Sequence, residues 1–408
     1  MSARSMAGRR PTAALGWIGI LLMLAVPSSV RTETVSADDV VSPIVATPVA
    51  SPNPVLGSDD RIHLAYEIVL MSMAGGAVTI EKIETLDAAT GSVLNTLEGD
   101  ALTQMLRLNG GAKGNAVPAG GSGLLFMDVT LAKDAAVPTA LKHRIEISAA
   151  KAPDQAAAGD HDPAPEPAQD IIFVSDPLKV GPAAVVLAPP LKGKRWVIGG
   201  GCCTPYSYHR GATLPINGAI RVAERFAIDF VQLTDADNLA SGAVDDLKSY
   251  AFFGDEIHAA AAGTVVASEN DLPEQVPGKL PENATIQMAG GNYAVIDIGD
   301  GRFAFYAHMQ PGSLRVKVGD KVTTGQVLGL LGNSGNTDAP HLHFHVMDGP
   351  SPLLANGLPY VFTAFTGEGR ITDEKPLFSG GTVNVDKSAL AGPHVNQLPL
   401  NLEVVSFP

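Results

Sequence analysis

Three histidines alternate in the run Pro340-His341-Leu342-His343-Phe344-His345, directly after a Gly/Asn/Ser-rich stretch beginning at Gly332. In a strand, side chains point to alternate faces, so His341, His343 and His345 share one face while Leu342, Phe344 and Val346 share the other. Neutral imidazole is a common zinc ligand and also an acid or base near pH 7, so a row of imidazoles backed by an apolar face reads as a metal site. A solvated histidine-rich strand edge is the plain alternative. Tyr306-Ala307-His308 lies just upstream, and Asp229 ends the run Arg225-Phe226-Ala227-Ile228-Asp229. No His-Glu-x-x-His helix occurs, which excludes a thermolysin-type centre.

These residues need elements to hold them. From about residue 250 the chain consists of short strand-like runs and tight turns: Gly254 to Val266, Tyr293 to His308 around Gly299-Asp300-Gly301, and Val316 to Gly329. A compact all-β domain follows. Two extended runs flank Asn217-Gly218 and predict a β-hairpin. With a three-residue loop, Ile216 to Gly218, His209 falls opposite Arg225 on the face of Asp229. A two-residue Asn-Gly loop sends it to the other face, because a one-residue slip inverts every side chain.

The 408 residues leave room for more than this domain. Residues 1–37 read as a secretory signal: Arg4, Arg9 and Arg10 precede the apolar run Ala13 to Val26, and Val35-Ser36-Ala37 offers a cleavage site. That implies a periplasmic or extracellular protein without a stable membrane span after cleavage. Residues 38–58 carry Pro43, Pro48, Pro52 and Pro54 and predict an extended linker. Residues 59–187 show short strand-like runs without a long helical period, which predicts an N-terminal β-sandwich-like domain. Within it, 149–170 is rich in Ala, Pro and acidic residues and predicts disorder. A second domain is expected over 190–370, with 371–408 as a tail whose last strand packs back on the protein. His63 and His143 lie inside strands and read as structural. The only cysteines, Cys202 and Cys203, are adjacent, and either a vicinal disulfide or two free thiols fits them.

The net charge of −14 becomes more negative without residues 1–37, which hold four arginines against one glutamate. Such an acidic body is a poor partner for nucleic acid.

With these motifs in view, the second domain resembles the lysostaphin/LytM-type zinc peptidases, bacterial envelope enzymes that cut peptidoglycan peptides. Gly254 to Val265, Tyr306-Ala307-His308, Val322 to Gly329 and Pro340 to Phe344 match the family's motifs in order. The resemblance implies a bound Zn2+, Asp229 and His343 as ligands, and His308 and His341 as catalytic groups. The family's first ligand lies four residues before the aspartate, where this chain has Arg225. The hairpin argument supplies His209 as the substitute third ligand. Three protein ligands leave a fourth position for a water, whose pKa zinc lowers toward about 7. Peptidoglycan peptides are the implied partner. The alternative is a catalytically degenerate envelope module that regulates another wall hydrolase. The Val316 to Gly329 pattern also resembles a biotinyl- or lipoyl-carrier hairpin, but Lys321 is not at a hairpin tip.

Overall fold

Glycine-rich turns and short apolar runs translate into strands almost throughout the computed structural model, which describes residues 39–111, 113–150, 168–205 and 207–408. Residues 1–37, the expected signal, and most of the expected disordered segment, 151–167, lie outside the described residues. Ala149 and Ala168 to Asp170, at the ends of that segment, belong to paired strands.

The N-terminal part is two antiparallel sheets. Its longest strand, Arg61–Ser72, pairs along its full length with Ser122–Ala132. Leu64, Tyr66, Ile68 and Leu70 point into the core between the sheets, together with Ile80, Ile83, Leu125, Met127, Ile145 and Ile147. The opposite face carries His63, Ala65 and Glu67, and Ala65 belongs to the core of the second part. This strand is therefore buried on both sides.

The linker expected over 38–58 is not a linker. Ile44–Pro48 and Asn53–Leu56 pair one after the other with the same edge of Arg61–Ser72. Proline lacks a backbone N–H, so edge strands tolerate it where central ones do not. The expected boundary at 187 also shifts. Val185–Leu187 pairs in parallel with Tyr360–Phe362, and Leu187 is buried in the second core.

That second core lies on a long antiparallel sheet. Its strands run in the order Lys321–Val322, Gly263–Glu269, Asn292–Gly299, Arg302–Met309, Leu342–Met347, Ile228–Gln232, Gly193–Gly199, Glu403–Phe407, Phe365–Ile371 and Val385–Asp386. The two strands that carry the metal candidates, Ile228–Gln232 and Leu342–Met347, are neighbours near the middle. Below them Phe230, Phe344, Tyr360, Phe362 and Phe407 form an aromatic cluster, with Phe344 and Tyr360 centroids 5.1 Å apart. An expected break at 370/371 cuts through Phe365–Ile371, and Glu403–Phe407 is a full member of the sheet, placed between Gly193–Gly199 and Phe365–Ile371. Val404, Val405 and Phe407 are buried, which commits the segment to the core.

Two local expectations change. Leu214–Ile216 and Ala219–Arg221 form the hairpin, but through a two-residue turn, with Leu214 opposite Arg221 and Ile216 opposite Ala219. Asn217 and Gly218 have φ of 50° and 78°, the pair of positive angles that matches strand twist. Val327–Leu330 pairs with Glu256–His258 rather than with Lys321–Val322. Cys202 and Cys203 form a vicinal disulfide. Among the described residues no helix is long and apolar enough to cross a membrane.

Candidate metal centre

The register of two strands builds the centre. Asp229 lies directly opposite His343, on strands whose alternate residues Ile228, Phe230, Leu342 and Phe344 are core. The carboxylate and imidazole therefore face the same way by default. His343 Nδ1 lies 2.9 Å from Asp229 Oδ1, and His341 Nε2 lies 3.4 Å from the same oxygen.

His209 arrives by another route. It does not sit on the hairpin around Asn217-Gly218, whose paired residues begin at Leu214. It lies in the one-turn helix Tyr208–Gly211, and from there His209 Nε2 reaches within 3.2 Å of Asp229 Oδ1. The expected neighbour is present; the expected reason was wrong. The helix approaches the backbone at Gly200 so closely that a Cβ there would lie 2.5 Å from His209 Nδ1, and Gly200 has a φ of +64°. Both facts call for glycine.

Arg225 is turned away from Asp229 and buried against Glu67, with Nη2 2.6 Å and Nε 2.9 Å from Glu67 Oε2. A guanidinium cannot bind a cation, and this one is spent on a carboxylate.

The hydrogen bonds decide which ring nitrogens are free. His209 Nδ1–H is shared by the carbonyls of Gly200 and Ala227, each 3.1 Å away, which leaves Nε2 as the nitrogen that faces Asp229. His343 can use Nδ1 toward the centre and give its Nε2–H to His345 Nδ1, 2.9 Å away. Metal-ligating histidines are held this way by a partner on the other nitrogen. His209, Asp229 and His343 each offer a ligand atom within 4.8 Å of the others. Two nitrogens and one carboxylate oxygen fit zinc in type and number, so the residues present suit the ion that the sequence implies. His308, His341 and His343 form a second group of the same compactness, so His343 is common to both.

His308 and His341 flank this donor set. His308 gives Nδ1–H to the Ser334 carbonyl at 2.7 Å, and His341 gives Nδ1–H to the Ala339 carbonyl at 2.8 Å. Both therefore keep Nε2 free of the backbone, and His341 Nε2 faces Asp229. Their rings are 4.4 Å apart. Ala307 lies opposite His343, so a regular pleat would send His308 to the core side. Instead the pairing with Asn292–Gly299 shifts between Tyr306 and Met309, and His308 takes a φ of +63°. A bulge and a left-handed non-glycine residue together re-aim one side chain.

Charge is finely set. Burial alone would raise the Asp229 carboxyl, but His209 and His341, with the hydrogen bonds from His209 and His343, hold it well below the usual range. Burial opposes charge on His209, yet Asp229 raises its pKa to about 9. Burial, reinforced by His341 and His343, pushes His308 well below the usual imidazole range, so it is neutral near pH 7.

One residue escaped the sequence reading as a contributor. Tyr208, 47% exposed, donates its hydroxyl to Asp229 Oδ2 at 2.9 Å. His345 completes the His343 bond. The signal for Tyr208 was adjacency to His209; His345 was already on the imidazole face of the alternating run. The five candidates, Tyr208 and His345 line one cavity of about 840 Å³.

Residues 247–354 match the model of peptidase family M23. The matched segment contains His308, His341 and His343; His209 and Asp229 precede it. The chain is similar to endolysin 2638A of Staphylococcus phage 2638A, at 39% identity over 80 residues, 19% of this chain and 16% of that protein. It is also similar to the glycyl-glycine endopeptidase ALE-1 of Staphylococcus capitis, at 39% identity over 71 residues, 17% of this chain and 19% of that protein. These matches span under a fifth of either relative's own length. Among solved structures, the catalytic domain of lysostaphin from Staphylococcus simulans is 24% identical, covers 40% of this chain and 88% of that one, and has a TM-score of 0.23.

Proposed function

We propose that this protein is a secreted or periplasmic zinc metalloendopeptidase that hydrolyses peptide bonds in peptidoglycan. The observation that carries the reading is the convergence of His209 Nε2, Asp229 Oδ1 and His343 Nδ1 on one point, with the Nε2 atoms of His308 and His341 beside it. A zinc ion held by the three would polarise a water molecule and the scissile carbonyl. His308 and His341, each with Nδ1–H tied to a backbone carbonyl, are positioned to take a proton from the attacking water and return it to the leaving amine. Tyr208 and His345 keep Asp229 and His343 oriented. The names of the relatives point to wall peptides as substrate, and the expected secretory signal fits that location.

The test is zinc stoichiometry of the purified protein, together with fragment analysis of peptidoglycan incubated with and without a chelator. One zinc per chain and chelator-sensitive release of new amino termini are expected. A degenerate regulatory module is the second reading, favoured by Arg225 in place of the family's ligand histidine. Protein without zinc and without cleavage, even after zinc is added, would decide for it.

A further inference from the structure

The helix that carries His209 has little helical structure of its own to hold it in place. It is four residues long and its N-cap, Ser207, makes no capping hydrogen bond. Tyr208 and His209 bond it to Asp229, Gly200 and Ala227, and a further set of anchors comes from the N-terminal sandwich. Arg210, 1% exposed, directs its guanidinium at Glu67, the carbonyl of Tyr66 at 3.2 Å and the carbonyl of Met127, with one further bond to the carbonyl of Cys203. The carbonyl of Gly211, at the helix end, accepts from Arg107 Nη1 at 3.0 Å. Arg107 and Arg210 both lie over the Phe126 ring, 5.2 and 5.7 Å from its centre.

Glu67, 0% exposed, is shared: its other partner is Arg225, four residues before Asp229. One buried carboxylate thus ties together the segment that presents His209 and the approach to the Asp229 strand. Arg225 also gives Nη1–H to the Gly357 carbonyl at 3.3 Å, which fixes it from the other side. Glu67 holds two guanidiniums that would otherwise repel each other in a water-poor interface, where an unpaired buried charge is costly.

We propose that the N-terminal sandwich presents the first metal ligand, and that Glu67, acting through Arg210 and Arg225, is a positioning residue for His209. This rests on the zinc-centre reading above. Where the family motif keeps its first ligand four residues before the aspartate, this chain has turned that position into an interdomain ion pair and takes its ligand from a helix clamped by the other domain.

The test measures zinc affinity of the full chain by competition with a chromophoric chelator, for wild type, Glu67→Gln, Arg107→Ala and His343→Ala, with folded fraction followed by circular dichroism. Glu67→Gln should weaken zinc binding per folded molecule by roughly 10–100-fold, the range typical when the support of a ligand is lost. Glu67→Asp should recover part of that loss, and cobalt in place of zinc should show an altered visible spectrum in Glu67→Gln. If Glu67→Gln does not fold, Arg107→Ala decides, since Arg107 is exposed and touches the helix only at the Gly211 carbonyl; a loss of several-fold is expected. The proposal is overturned if the folded variants bind zinc as wild type does while His343→Ala does not. Wild type that binds no zinc would overturn the reading of the centre itself.

Discussion

Asp229 and His343 are direct cross-strand partners, with His343 Nδ1 2.9 Å from Asp229 Oδ1, although 114 residues separate them in the chain. The register that joins them also places Phe230 and Phe344 in the aromatic core, so the centre and the core cannot slip independently.

Replacing His343 with alanine should remove bound zinc, and His209→Ala should do so as fully. Each change should exceed the roughly 100-fold loss expected for an outer partner. Metal analysis after dialysis checks this. Retention of zinc by His209→Ala would leave His308, His341 and His343 as the ligand group.

His308→Ala and His341→Ala should keep zinc and lose turnover by about 100- to 10,000-fold. Parallel metal and peptide-release assays separate the two effects. Loss of metal in either variant would make that residue a ligand.

Two glycines with positive φ should behave differently. Gly200→Ala drives a Cβ to 2.5 Å from His209 Nδ1 and should weaken zinc binding. Gly218→Ala meets nothing within 4 Å, so it should cost only about 1–2 kcal/mol of left-handed strain and leave zinc binding unchanged. Calorimetric unfolding and zinc titration of the two variants provide the comparison.

His63 should make stability depend on pH in the alkaline range. Burial opposes its charge, but Asp128 and Asp59, each bonded to one ring nitrogen, raise its pKa from 6.5 to about 9. The folded state therefore holds the proton more tightly than the unfolded one. The contribution is complete below about pH 6.5 and is lost as pH rises through 9; it amounts to about 3 kcal/mol. The difference in urea stability between wild type and His63→Gln should be largest near pH 6 and shrink by pH 9.5. A constant difference would contradict the pairing.

What the sequence made legible was local. The alternation from His341 to His345 identified both the imidazole face and the Leu342, Phe344 and Val346 face, because strand period is a nearest-neighbour property. The route of His209 was not legible, since turn length at Asn217-Gly218 depended on a one-residue choice and the residue lies in a helix outside the hairpin. The prolines of 38–58 suggested a linker because composition does not say whether a strand is at an edge. Glu67, Arg210 and Arg225 are ordinary charges in sequence; only the fold, across 158 residues for Glu67 and Arg225, makes them a buried cluster.

The separation of Asp229 from His343 also carries a cost in chain entropy. Closing a loop of 114 residues is a non-local step, and the intervening hairpin Asn292–Gly299 and Arg302–Met309 offers the edge on which Leu342–Met347 pairs. The donors are thus brought together by the same non-local pairing that seats Phe230 and Phe344 in the core, and apolar burial holds that pairing. An ion captured there would be a passenger on a finished scaffold, in contrast to small zinc domains that have no fold without their metal.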